Sequence, residues 1–146
     1  MVTGAAGSIG FELCRQLADL EPEILVLFDR AESSLYFVGL ELRNLHSTLK
    51  VVPIIGDIFN RQRVEEVIRA CAPDVLYHAA AYKHVPLMED HPLEGIGNNI
   101  FGTEAVAVGA RDAGVKKFIL ISTDKAVNPV GIMGMTKRMA ECLLQT

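Results

Sequence analysis

The chain has 146 residues, 50% of them hydrophobic, with a formal charge of −4 and a sequence pI near 5.5. That length fits one domain with ample material for a core, and the acidic balance argues against a nucleic-acid or anionic-membrane surface. Nothing reads as a signal peptide or as the run of about 20 apolar residues that spans a bilayer.

Met1, Val2 and Thr3 read as the end of a first strand, which enters the spacing Gly4-x-x-Gly7-x-x-Gly10. Each glycine has a mechanical reason there: a tight turn out of the strand, close backbone approach to a diphosphate, and close packing of the following helix. The helix begins near Ser8 and Ile9, and its free N–H groups and positive dipole end suit an anion. Leu13, Leu17 and Leu20 are expected on its inner face, before the apolar run 24–28 closed by Asp29. An acid at the end of the second strand, about 20 residues past the loop, is where a pair of ribose hydroxyls is expected.

Ser33 and Ser34 are expected to cap a second helix with Leu35, Val38, Leu42, Leu45 and Leu49 on one side. Residues 51–55 form a third strand ending in Gly56, Asp57 and Ile58, where a carboxylate and an apolar contact would hold an adenine edge; the competing reading is that Asp57 caps the next helix. That helix opens at Asn60, carries Val64, Val67 and Ile68, and stops before Pro73. Residues 74–78 form a fourth strand running into Ala79, Ala80 and Ala81, small residues that let backbone approach a cofactor or that merely pack tightly. One long helix is expected over 92–113, ended by Gly114, then a fifth strand over 118–122 and a last helix after Gly131.

Strands alternating with helices predict an α/β doubly wound parallel sheet, a Rossmann fold, in the order 3-2-1-4-5 with its ligand outside the carboxyl ends of the strands. The unit is single, spanning 1–146, with no internal repeat or linker. Because only three residues precede the glycine loop and the pattern 139–144 is still helical at the end, a fragment truncated at both ends is expected. Cys14, Cys71 and Cys142 are odd in number and lack metal-ligand spacing, which reads as reduced packing residues of a cytoplasmic protein; His46, His78, His84 and His91 form no cluster with them, so no metal is expected.

The glycine triplet, Asp57-Ile58, the alanine triplet, Asn99-x-x-Gly102-Thr103 and the 122–125 strand end resemble the extended short-chain dehydrogenase/reductase superfamily. More narrowly, the stretches 79–89 (AAAYKHVPLME) and 122–129 (STDKAVNP) resemble the CapD-like polysaccharide-biosynthesis family, whose members are nucleotide-sugar 4,6-dehydratases typically acting on UDP-N-acetylglucosamine. The resemblance covers essentially the whole chain but not that family's C-terminal sugar-nucleotide-binding part, which is absent. It implies transient oxidation at C4 of the sugar, loss of water across C5 and C6, and return of hydride to C6, with no net oxidation. Such an elimination needs an acid and a base, and Asp124 and Lys125 are adjacent at the fifth strand's carboxyl end; the bland alternative is a solvated loop pair.

The sequence departs from the superfamily at its usual Tyr-x-x-x-Lys pair, where Met133 and Lys137 stand. Methionine cannot carry a proton, so Asp124, Lys125 or a water relayed through Thr123 are the candidates for the C4 hydroxyl proton. Lys137 would hold the cofactor ribose. Asp29 repels a 2′-phosphate and favours NAD, while Arg30 would pair with that phosphate, allowing NADP, if the carboxylate turned away. Lys83 and His84, with Tyr82, are expected to face either the sugar or its diphosphate, or else to form an exposed loop, and Asn99 is expected to fix the strand-four region by backbone hydrogen bonds. The partners expected are a nucleotide sugar and, in the full-length protein, further copies of itself. No membrane contact is expected from this part, even if a longer parent is membrane-anchored with this domain on the cytoplasmic side. The competing functions are a nucleotide-sugar epimerase or reductase of the same superfamily, and a non-catalytic NAD-binding module.

Overall fold

The computed structural model describes residues 1–145. Five parallel strands, β1 (Val2–Thr3), β2 (Ile24–Asp29), β3 (Lys50–Ile55), β4 (Val75–His78) and β5 (Lys117–Leu120), lie in the order β3-β2-β1-β4-β5. β1 is the centre of the sheet, with Val2 opposite both Leu27 and Tyr77. The reversal of strand order beside it is the topological switch point, where doubly wound sheets bind their ligands.

Alternation along β2 builds two cores. Leu25 and Leu27 pack with Val2, Cys14, Ala18, Leu35, Val38 and Leu42, under α1 (Ser8–Ala18) and α2 (Glu32–Leu45). Val26 and Phe28 face the opposite side, with Val64, Val67 and Ile68 of α3 (Arg61–Cys71). Leu76 of β4 and Val106 belong to that second layer. Period-two side chains on a strand covered by helices on both faces must be apolar in both directions, which is why β2 reads as a continuous hydrophobic run.

Several local expectations are corrected. The buried face of α1 is Gly10, Cys14 and Ala18, with Leu20 exposed, because small residues at i, i+4 and i+8 let the helix lie close to β1. α2 starts at Glu32 with Ala31 at its cap and no side-chain cap from Ser33 or Ser34; Leu45 is exposed and Leu49 lies beyond the helix. Asn60, not Asp57, caps α3, its Oδ1 accepting from Arg63 N–H at 3.1 Å. A short helix α4 (Val85–Asp90) follows β4. The single long helix is three pieces: α5 (Pro92–Gly95), a π-helical segment Ile96–Gly102, and α6 (Thr103–Asp112). β5 ends at Leu120, and a 3₁₀ turn Asp124–Ala126 precedes α7 (Ile132–Leu143). Cys14 is buried and Cys71 half-buried, but Cys142 is exposed and is no packing residue.

Candidate active site

Two cavities meet over the carboxyl ends of β1 and β4, and Gly7, Ala79, Ala81 and Tyr82 line both. The first, about 140 Å³, is walled by Gly4, Asp29, Arg30, Asp57, Ile58, Ala80 and Asn98. The second, about 340 Å³, is walled by Ser8, Ile9, Gly10, Lys83, Thr123, Lys125, Met133 and Lys137. Most of the sequence-predicted residues are therefore brought together, in two groups on either side of the glycine loop.

Gly4 has φ +71°, and a Cβ there would lie 2.5 Å from the backbone nitrogen of Ala80, so strand β1 turns against the alanine triplet only because neither side carries bulk. Gly7 caps α1 with no side chain, leaving the first-turn amides to whatever lies in the cavity. Asp29 is held from both oxygens: Oδ2 accepts from Ala6 N–H and Oδ1 from Ala31 N–H, each at 2.9 Å. These two backbone bonds hold the carboxylate in its present orientation. Arg30 reaches Asp57 Oδ2 at 3.4 Å and lies 4.7 Å over the Tyr82 ring. Asp57 Oδ1 is fixed by Phe59 N–H at 2.9 Å. Ile58 lines the first cavity, but its side chain is buried in the core against Gly102. A glycine cradle, free helix amides and a fixed acid at the second strand fit a dinucleotide, with Gly4, Gly7 to Gly10, Asp29 and Asp57 as the residues that would hold it.

On the catalytic side, Thr123 Oγ1 donates to Asp124 Oδ1 at 2.9 Å, and Lys125 Nζ lies 3.4 Å from the same oxygen. The hydroxyl and the ammonium hold the Asp124 carboxyl below the ordinary carboxylate range. Asp124 is 88% exposed and does not line the cavity, while Lys125 lines it and is 57% exposed. Lys137 is the buried amine: its Nζ donates to Ile121 O at 2.7 Å, and desolvation pulls its pKa down, with Glu141 acting in the opposite sense. Met133, one turn before it, is buried and also walls the cavity. α7 is aimed by a carboxylate from α4, since Glu89 Oε1 accepts from Ile132 N–H at 2.7 Å. Lys83 Nζ reaches Ser8 Oγ at 3.4 Å, over the start of α1, whereas His84 caps α4 and lines neither cavity. Asn98 in the first cavity was not singled out from sequence; its Nδ2 donates to Asn99 Oδ1 at 3.0 Å, and that oxygen also accepts from Tyr82 N–H.

Across residues 1–146 the chain matches the family model described as polysaccharide biosynthesis protein. It is 48% identical to the capsular polysaccharide biosynthesis protein CapD of Staphylococcus aureus, over 100% of this chain and 24% of that one. It is 34% identical to the UDP-N-acetylglucosamine 4,6-dehydratase (inverting) of Campylobacter jejuni serotype O:2, over 98% of this chain and 41% of that one. Among solved structures, a UDP-glucose-4-epimerase from Stenotrophomonas maltophila, crystallised with NAD and formylated UDP-arabinopyranose, superposes with a TM-score of 0.87 at 27% identity, over 99% of this chain and 46% of that one. The chain thus spans between a quarter and a half of the length of these proteins.

Proposed function

The chain belongs to the polysaccharide biosynthesis protein family, and from that premise we propose that it is the dinucleotide-binding part of a nucleotide-sugar 4,6-dehydratase, acting on UDP-N-acetylglucosamine in surface polysaccharide assembly. The observation that carries this reading is that Thr123, Lys125, Met133 and Lys137 share one cavity with the glycine loop, which sets acid–base groups beside a dinucleotide cradle. NAD is the proposed cofactor, on the fixed Asp29 carboxylate; bound there, its nicotinamide would supply reversible hydride acceptance at the sugar.

The remaining work falls to side chains of this chain. The α1 amides and Lys83 meet diphosphate charge, Asp29 takes ribose hydroxyls, and Lys137 fixes the ribose beside the nicotinamide. Asp124 and Lys125 form an ion pair while exposed. A sugar laid over them would exclude water, and loss of solvation disfavours both charged forms, so the proton passes from Lys125 Nζ to Asp124. The neutral amine then takes the C5 proton while Asp124 donates to the C6 hydroxyl leaving as water, and the ion pair is restored.

In the longer protein that contains this chain, Lys125→Ala and Asp124→Asn are each expected to slow water loss by at least about 100-fold. Deuterium from solvent should still enter C5 in Asp124→Asn and not in Lys125→Ala. Exchange at the parental rate in Lys125→Ala removes Lys125 as the base. A second reading, a nucleotide-sugar epimerase, draws support from the epimerase likeness; a C4 epimer formed without a 4-keto-6-deoxy product would select it. Binding of NAD with no turnover in the longer protein would select a non-catalytic module.

A further inference from the structure

We infer that Tyr82 sets the choice between NAD and NADP, by holding the Arg30 guanidinium away from the ribose 2′ position. This rests on the reading of the first cavity as the adenosine half of a dinucleotide site. Arg30 directly follows the ribose-binding acid at the end of β2, the position from which a guanidinium would pair with a 2′-phosphate. Here the guanidinium is committed elsewhere, 4.7 Å over the Tyr82 ring and 3.4 Å from Asp57 Oδ2.

Both restraints are themselves anchored. Tyr82 N–H donates to Asn99 Oδ1 at 2.8 Å and Tyr82 O accepts from Asn99 Nδ2 at 3.0 Å, and Asn99 is fully buried. Asp57 is held by Phe59 N–H. The Tyr82 backbone and the Asp57 carboxylate are therefore anchored, and the longer, more flexible partner is the arginine. Asp29 is bonded from both sides, and on the same cavity wall the Arg30 guanidinium is turned to Asp57 and Tyr82. An exposed cation–π contact and an exposed ion pair each correspond to roughly a 2- to 5-fold preference for one arginine placement. Losing the ring should release the guanidinium toward the ribose, where a 2′-phosphate would capture it in a charge-assisted, bidentate contact.

The test is calorimetric titration of the full chain with NAD and with NADP. The parent is expected to prefer NAD. Tyr82→Leu, which keeps the backbone bonds to Asn99, should shift the NAD:NADP affinity ratio about 2- to 5-fold toward NADP, and Tyr82→Phe should keep most of the parental ratio. Adding Arg30→Ala to Tyr82→Leu should abolish the gain. Arg30→Ala alone should reduce NADP affinity by much less than the roughly 10-fold expected of a direct 2′-phosphate contact, because the parent guanidinium is committed to Tyr82 and Asp57; this arm needs no change at Tyr82 and stands even if Tyr82→Leu fails to fold. An unchanged ratio in Tyr82→Leu, or a loss of about 10-fold or more in NADP affinity for Arg30→Ala alone, overturns the inference while leaving the cofactor site intact. Failure of the parent to bind either dinucleotide overturns the cofactor reading itself.

Discussion

Asn99 bonds both backbone polar groups of Tyr82, accepting from its N–H at 2.8 Å and donating to its carbonyl at 3.0 Å, and donates also to Thr136 Oγ1 at 3.0 Å. One buried amide therefore joins the segment after β4 to α7, the two elements that carry Tyr82, Lys83, Met133 and Lys137. Replacing it with leucine keeps the volume and leaves the Tyr82 amide and carbonyl without partners. At about 1–3 kcal/mol for each of these two groups, Asn99→Leu should lose about 2–6 kcal/mol. Urea denaturation measures this; a loss below about 1 kcal/mol would mean that solvent reaches the vacated groups.

His78 is fully buried and bonded on both ring nitrogens. Thr103 Oγ1 gives its proton to Asn99 O at 2.7 Å, so it must accept from His78 Nε2–H at 2.9 Å, and His78 Nδ1 in turn accepts from Thr3 Oγ1 at 2.6 Å. Burial, with Lys137 as the second cause, pulls the His78 pKa down to about 3. The unfolded chain binds this proton near pH 6.5, while the folded chain refuses it until about pH 3, so stability is full above about 6.5 and falls as the pH is lowered between the two. The slope from this one group approaches about 1.4 kcal/mol per pH unit. Urea midpoints between pH 7 and 5 should fall in the parent and much less in His78→Gln; parallel profiles would remove His78 as the source.

The strand order and the glycine loop were legible because they rest on local signals: apolar runs, a glycine spacing, and an acid closing β2. The π-helical segment was not. Ile96–Gly102 has no residue that distinguishes it from ordinary helix, and the wider turn depends on Gly97 and Gly102 packing against Phe59 and Ile58 from another part of the chain. Nor was the cap of α7, because Glu89 serves it from 43 positions away. For the site, residues named from sequence at the strand ends do line the two cavities, but which of Lys125 and Lys137 is buried was not legible. Exposure depends on how α7 and the 124–126 turn pack, and periodicity over eight residues does not report that.

The glycines of the loop should separate fold from binding. A Cβ on Gly10 would collide with Gly4 O, which is backbone and cannot rotate aside, whereas at Gly7 the nearest atom is Gly4 O at 3.3 Å and the residue faces both cavities. Gly10→Ala should cost about 1–3 kcal/mol of stability, as overpacking does. Gly7→Val should keep the helix content and lose most affinity for NAD, because its side chain takes the space a diphosphate needs. Calorimetry and circular dichroism on the two variants decide it: unchanged NAD affinity in Gly7→Val would sink the loop assignment.

The last relationship links α7 to the proposed acid–base turn. Gly134 is buried one residue after Met133, and a Cβ there would collide with Lys125 O and come within 3.1 Å of Pro129 Cβ. The helix thus rests directly on the backbone that presents Asp124 and Lys125, and only a missing side chain permits the contact. Alanine has the better helix propensity by about 1 kcal/mol, which taken alone would stabilise α7. The collision is with main chain and has no rotamer to relax into, so overpacking of about 1–3 kcal/mol should win and push the turn outward. Gly134→Ala is therefore expected to lower the urea midpoint without changing the slope. In the longer protein, a displacement of Lys125 by about 1 Å should cut turnover by up to about 100-fold. A raised midpoint, with turnover unchanged, would show that α7 does not position the turn.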